Sequence, residues 1–203
     1  MDKKKLLYIA PHLSTGGMPQ YLLRQIENFV DDFHIQVVEV NNHSGNAFVV
    51  QKNQINSLVK LHTLGDDKSE IESIIKSQTP DIIHFQEIPE HYLPHNSLEK
   101  IFNNKKRDYK IVVTTHGSKT NPNEIRFHAD KYVLVSEWSR RQFEHLNIDT
   151  DVWEYPIIKK KKNQSKAKKE LNLEHDWKHV IMIGLFTTGK NQSEIFRIAR
   201  QLE

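Results

Sequence analysis

The sequence predicts an α/β fold built on a parallel sheet, and three observations predict it. Short β-branched apolar runs recur along the 203 residues, each followed by a polar loop and then by helix-spaced apolar residues. Runs such as Ile111-Val112-Val113 and Val133-Leu134-Val135 have no polar alternation, as a strand buried on both faces requires. The first run passes through Gly16-Gly17 directly into an amphipathic pattern. Such a pair lets the backbone take left-handed dihedrals and approach a bulky group, while the helix N–H groups behind it favour an anion or a sugar hydroxyl.

In chain order, strands are expected at Leu6–Ala10, Ile35–Val40, Asp81–Phe85, Lys110–Thr115, Tyr132–Ser136 and His179–Gly184, with further short strands at Ala47–Val50 and Val59–Leu61. Tyr21, Leu22, Gln25, Ile26 and Phe29 share one helix face, and Ile71, Ile74 and Ile75 share another before the Thr79-Pro80 breaker. Ser136 caps a helix over Glu137–Leu146, Lys166–Leu171 has good helix propensity, and a last helix covers Gln192–Leu202. The core of the sheet is read as Leu7, Ile9, Ile82, Ile83, Val112, Val113, Val133 and Val135.

The composition changes near Pro156, which divides the chain into a first domain over 1–156, a basic linker with a short helix over 157–176, and an incomplete second domain over 177–203. A lone βα unit cannot cover both faces of its strand. The strand around Val180 is therefore expected to dock on the first sheet, on a second copy through residues 179–203, or on a missing domain.

Charge selects no nucleic-acid partner. The net charge is +3, but Lys159–Glu170 alone holds seven lysines and one glutamate, so the remainder sums to about −3. That run reads as a solvated connector, with peripheral contact to anionic lipid as the alternative. There is no cysteine, hence no disulfide framework and no sulfur-based zinc site. With no H-E-x-x-H cluster, and with His91 and His95 flanking Pro94, a metal site is rejected. The apolar stretch after Met1 is too short for a secretory signal, and no run reaches transmembrane length, so the expectation is a cytoplasmic protein. Neither G-x-G-x-x-G nor G-x-x-x-x-G-K-[ST] occurs at the first turn.

The Gly16-Gly17 loop, Pro80-Asp81-Ile82-Ile83-His84, Val113-Thr114-Thr115-His116-Gly117, Val135-Ser136-Glu137, and Ile183-Gly184 followed by Gly189-Lys190-Asn191 occur in one order along the whole chain. In that order they resemble family 4 glycosyltransferases of the GT-B fold. The resemblance implies a Rossmann-like N-terminal domain that mainly holds the acceptor, then the start of a C-terminal domain that mainly holds a nucleotide-sugar donor. It further implies retaining, metal-independent transfer from a nucleotide-diphosphate sugar, as substrate rather than cofactor, to a glycan or lipid-linked acceptor.

His116 follows a buried strand at the carboxyl edge, where open α/β sheets bind ligands. The resemblance implies that it lies near the donor sugar; the plainer reading is a histidine that caps the strand end. Gly16, Gly17, Gly184 and Lys190 are the implied donor-side residues, with the lysine suited to a diphosphate leaving group. The family's usual arginine after the strand-ending glycine is Leu185 here, which puts efficient catalysis in doubt. His12, Gln86 and Glu87 stand at strand ends where they could line an acceptor pocket, though each also reads as an ordinary loop residue. His84 lies within a strand and reads as a satisfied, half-buried histidine. The family's acidic pair would lie beyond Glu203, so no catalytic carboxylate is assigned. Two rival readings stand beside the transferase: a non-catalytic carbohydrate- or nucleotide-binding module, and a half enzyme completed by another chain.

Overall fold

The computed structural model describes residues 2–42, 49–104, 107–117, 120–157, 163–184 and 188–201. The chain divides into two units, Met1–Ile157 and Ile158–Glu203.

The first unit is a seven-stranded sheet, all parallel. In chain order it comprises β1 (Lys4–Ala10), α1 (Gly17–Phe29), β2 (Phe33–Glu39), α2 (Val50–Leu58), β3 (Lys60–Thr63), α3 (Glu70–Gln78), β4 (Ile82–Gln86), α4 (His95–Phe102), β5 (Lys110–Thr115), β6 (Lys131–Leu134), α5 (Glu137–Phe143) and β7 (Thr150–Val152). The spatial order is β3-β2-β1-β4-β5-β6-β7. The chain winds outward from β1 to β3, returns through α3, and winds outward the other way from β4, so the topological switch lies between β1 and β4.

The period of two along the central strands separates two cores. Leu7 and Ile9 of β1 join Val38, Ile83, Phe85, Ile111 and Val113 beneath Ile71 and Ile75 of α3 and Leu98, Ile101 and Phe102 of α4. Leu6, Tyr8 and Ala10 face the other way, with Ile35 and Val37, against Leu22, Leu23 and Ile26 of α1 and Ile55 of α2. Both faces of the sheet are thus covered by helices, and the polar residues that β4 carries on one face, His84 and Gln86, are buried and bonded to Thr114 and Gln25. Of the expected core, Leu7, Ile9, Ile83, Val113 and Val133 are buried, whereas Ile82, Val112 and Val135 are half-buried.

Local rules account for the boundaries. Thr79 takes a left-handed conformation (φ 44°) that ends α3, its N–H donating to Ile75 O, and Pro80 prevents the helix from resuming. The Ser136 side chain accepts from Ser139 N at 3.1 Å and starts α5.

Two expectations fail. Val50 opens α2 rather than closing a strand over Ala47–Val50, of which residues 47–48 lie outside the described set. The expected strand His179–Gly184 is absent: these residues adopt no regular element, and Val180, Ile181, Met182 and Ile183 are 44–93% exposed. The second unit contains helices α6 (Gln164–Glu170) and α7 (Ser193–Ala199) and a 3-10 turn at Thr188–Lys190. A strand exists by its ladder, and among the described residues of this unit there is no second strand to supply one.

Candidate functional site

The carboxyl ends of β1, β4 and β5 meet at the switch point, the place where this topology opens a crevice. From β1 the chain runs through His12 to Gly16 and into α1. Leu13 N donates to Glu39 Oε1 at 2.8 Å, and the other oxygen of that fully buried carboxylate receives Lys52 Nζ at 2.5 Å. The loop is thereby pinned to the end of β2. His12, half-buried, pairs its Nδ1 with Ser14 Oγ at 2.8 Å.

Gly16 and Gly17 are exposed at the helix start, but the expected left-handed backbone is not found. Gly16 is extended (φ 171°), and no described glycine has positive φ. What the pair provides is a bare backbone surface. A Cβ added to Gly17 would stand 3.6 Å from the Tyr155 hydroxyl oxygen and 3.7 Å from its Cε1, so the tyrosine ring lies over the start of α1.

His116 leaves β5 beside this surface. Its Nε2 is 3.1 Å from Gln86 Oε1 and its Nδ1 is 2.7 Å from Tyr155 Oη. With the Gln86 amide oriented to donate to Gln25 Oε1 at 3.2 Å, Gln86 Oε1 can only accept. The proton then sits on Nε2, leaving Nδ1 to accept from the tyrosine hydroxyl. Tyr21 packs edge-on against both rings, with centroids 5.0 Å from each, and its own hydroxyl donates to Trp153 O at 3.2 Å. Burial lowers the His116 pKa to about 4, so at neutral pH the ring is an uncharged hydrogen-bonding group.

Glu87 follows β4 with φ 87°, an unusual conformation for a residue with a side chain. The turn directs its carboxylate to the backbone after β5, where Oε1 accepts from His116 N at 2.8 Å, and Glu87 N donates back to Thr114 O at 2.7 Å. Burial nevertheless raises the Glu87 pKa, outweighing the amides that favour its charged form. The carboxylate expected to line an acceptor pocket is thus occupied in holding the His116 loop. Gln86, fully buried, is occupied in orienting the ring itself. His84 is fully internal: its Nε2 meets Thr114 Oγ1 at 2.7 Å, and burial, reinforced by His116, lowers its pKa to about 3.

Past Glu87 on the same edge lies a cavity of about 740 Å³. Ile88, Leu93, Leu98 and Phe127 form its apolar floor, and Glu90 ties one wall by accepting from Arg126 N and Phe127 N at 2.7 and 3.1 Å.

The structure therefore brings His116, Gln86, Glu87 and Gly17 into one cluster. In the second unit, Gly184 and Lys190 are neighbours: a Cβ on Gly184 would lie 3.8 Å from Lys190 Cγ and 3.5 Å from Gln192 Nε2. Lys190 is exposed within its 3-10 turn, and Leu185 lies outside the described residues. Sequence reasoning missed Tyr155 entirely and treated Tyr21 and Gln25 only as a packed helix face. The available signal was the aromatic spacing Trp153-Glu154-Tyr155 immediately before the change in composition.

No described helix is long and apolar enough to cross a membrane. No protein-family model matches the chain, and neither does any curated protein. Solved structures do match. A glycosyltransferase from Rickettsia africae superposes with a TM-score of 0.58 at 14% identity, over 87% of this chain and 51% of that one. UDP-N-acetylglucosamine 2-epimerase from Rickettsia bellii superposes with a TM-score of 0.51 at 15% identity, over 76% of this chain and 45% of that one. The chain spans about half the length of these structures. At such identities the likeness is one of fold, and the fold is the α/β, Rossmann-like sheet of the GT-B glycosyltransferases.

Proposed function

We propose that the first unit is the acceptor-side half of a retaining, metal-independent glycosyltransferase of the family 4 type, acting on a nucleotide-diphosphate sugar and a glycan or lipid-linked acceptor. The observation that carries this reading is His116, held neutral at the switch point with Nδ1 bonded to the Tyr155 hydroxyl that lies over Gly17. A neutral imidazole can accept a sugar hydroxyl without placing a positive charge beside an anomeric centre that is itself becoming positive. Gln86 and Glu87 serve as positioning residues, one fixing the tautomer and the other the loop. His12 and the cavity past Glu87 offer the acceptor its surface. Gly184 and Lys190 belong to the donor side, where the lysine would meet the diphosphate.

The test is binding. Titrating the 203-residue chain with UDP-glucose and GDP-mannose should perturb the amide resonances of Gly16, Gly17 and His116, and His116→Ala should remove the effect. Silence at all three positions with both ligands would overturn the reading. Sugar transfer by this chain alone is not expected, because transition-state stabilisation needs preorganised groups on both sides of the cleft.

One observation favours a half enzyme completed by another chain: Ile181, Ile183 and Phe196 are 64, 93 and 61% exposed. That form predicts transfer only when a second polypeptide covers them. The non-catalytic binding module is supported by the fact that both nitrogens of His116 already have partners, and it predicts the same resonance changes with no transfer under any condition.

A further inference from the structure

Tyr155 makes three contacts that a bound sugar would make. Its hydroxyl holds His116 Nδ1 at 2.7 Å, its ring edge covers Gly17, and its ring packs edge-to-face with Tyr21, centroids 5.0 Å apart. A phenol and a pyranose share the relevant chemistry, a six-membered ring with a hydroxyl on its rim. Unlike Tyr21, which is 1% exposed, Tyr155 is 37% exposed and lies on no regular element. It follows the last anchors of its segment, where Trp153 N donates to Leu134 O at 2.8 Å and Trp153 O accepts from Tyr21. It also stands two residues before the end of the first unit. Side chain and segment can therefore withdraw without breaking the sheet.

We propose that Tyr155 is a resident occupant of the sugar position, a gate that a pyranose must displace before its own hydroxyl can take the bond to His116 Nδ1. The sugar in this statement rests on the glycosyltransferase reading; the gate itself rests only on the contacts above. A gate of this kind lowers apparent affinity by the fraction of time it stands open, so removing it tightens binding by the same factor.

Carbethoxylation by diethyl pyrocarbonate attacks an unprotonated imidazole nitrogen, and in the closed state the Nδ1 of His116 is hydrogen-bonded and covered. In the full chain, mapped by peptide mass spectrometry, Tyr155→Ala should modify His116 about ten-fold faster than wild type, the factor implied by losing one hydrogen bond and one aromatic contact. The exposed His91 and His95 serve as internal controls whose rates stay fixed. An unchanged His116 rate in a folded Tyr155→Ala chain overturns the gate. Should that variant fail to fold, Tyr155→Phe keeps the ring and loses only the hydroxyl. Its His116 Nδ1 resonance should move toward that of a free imidazole nitrogen, and an unmoved resonance overturns the gate.

UDP-glucose then separates the two claims. Tighter binding to Tyr155→Ala than to wild type, by a factor similar to the carbethoxylation ratio, supports both. Equal binding to the two chains overturns the gate. No binding to either chain, with the carbethoxylation difference present, overturns the sugar reading and leaves the gate standing.

Discussion

Lys110–Thr115 and Val180–Gly184 read almost alike in sequence, each a short β-branched apolar run that ends near a glycine, yet one is β5 in the interior of a sheet and the other forms no element. Ile111 and Val113 are fully buried, while Val180 and Ile183 are 81 and 93% exposed. The difference lies in what surrounds the runs. β5 is paired on both sides, with β4 and β6, and roofed by helices. The described residues around Val180 offer only two short helices and a turn. A hydrophobic run states a need for cover; the rest of the fold decides whether that need is met.

The comparison breaks most decisively with a charge. Val113→Asp puts an unpaired carboxylate between two sheet neighbours, a cost above about 4 kcal/mol and comparable to the stability of a small domain, so the first unit should fail to fold. Ile181→Asp in the exposed run should change stability by less than about 0.5 kcal/mol. Urea denaturation followed by tyrosine and tryptophan fluorescence measures both. A loss of more than about 2 kcal/mol for Ile181→Asp would mean that this run is covered in solution, contrary to its exposure.

Hydrogen exchange sharpens the same contrast amide by amide. The β5 amides should exchange only through global unfolding, and those of Val180–Ile183 at rates close to an unstructured chain. Repeating the measurement at rising concentration distinguishes self-association from isolation. Protection that grows with concentration would identify residues 179–203 as an interface between copies, and unchanged rates would exclude that interface.

Much of the first unit was legible because its signals are local. β5 has the bounds read from its run, α3 stops at its Thr-Pro breaker, and α5 begins at its serine cap. What escaped depends on neighbours. Thr150-Asp151-Val152 carries one apolar residue, as befits an edge strand that only β6 pairs, so periodicity could not find β7. His116 was visible as a polar residue at a strand end. Its partner Tyr155 is 39 positions away, and the fold alone brings the two together. Glu87 reads in sequence as a pocket-lining or ordinary loop residue because a positive φ, which turns the side chain inward onto the His116 amide, leaves no mark in the sequence. The glycine pair stands exposed at the start of α1 without the left-handed backbone expected of it: Gly16 is extended, and a Cβ on Gly17 would meet the Tyr155 ring at ordinary contact distance.

Two histidines, His84 within β4 and His116 just past the end of β5, distinguish the buried region by its pH response. His84 and His116 hold pKa values of about 3 and about 4, below the ordinary 6.5, because burial penalises their charged forms. Protons therefore bind the unfolded chain first. The stability these rings contribute is complete above pH 6.5 and is lost as the pH falls toward 4 and then 3. Glu87, raised by burial, takes up its proton in the folded state and offsets part of the loss. Urea midpoints should fall between pH 6.5 and 4, and His84→Gln should flatten that decline by on the order of 2 kcal/mol. An unchanged slope in His84→Gln would show that the ring is solvated in the folded chain.

The smallest effect compares two helix caps built the same way in the two units. Ser136 Oγ accepts from Ser139 N at 3.1 Å to start α5, and Asn163 Oδ1 accepts from Lys166 N at 2.9 Å to start α6. Loss of such a cap costs about 1 kcal/mol when the helix is fixed by tertiary packing. α5 is fixed in this way: Phe143 is 2% exposed within the main core and packs at 5.2 Å from Tyr132. α6 buries no residue, so its cap supports only its own seven residues. Ser136→Ala should therefore lower the global unfolding free energy by about 1 kcal/mol, and Asn163→Ala should leave it unchanged while reducing helicity over residues 164–170 alone. Backbone chemical shifts report the second effect and urea denaturation the first. A global loss from Asn163→Ala equal to that from Ser136→Ala would mean that α6 packs against something, and that the second unit is held by more than its own short-range bonds.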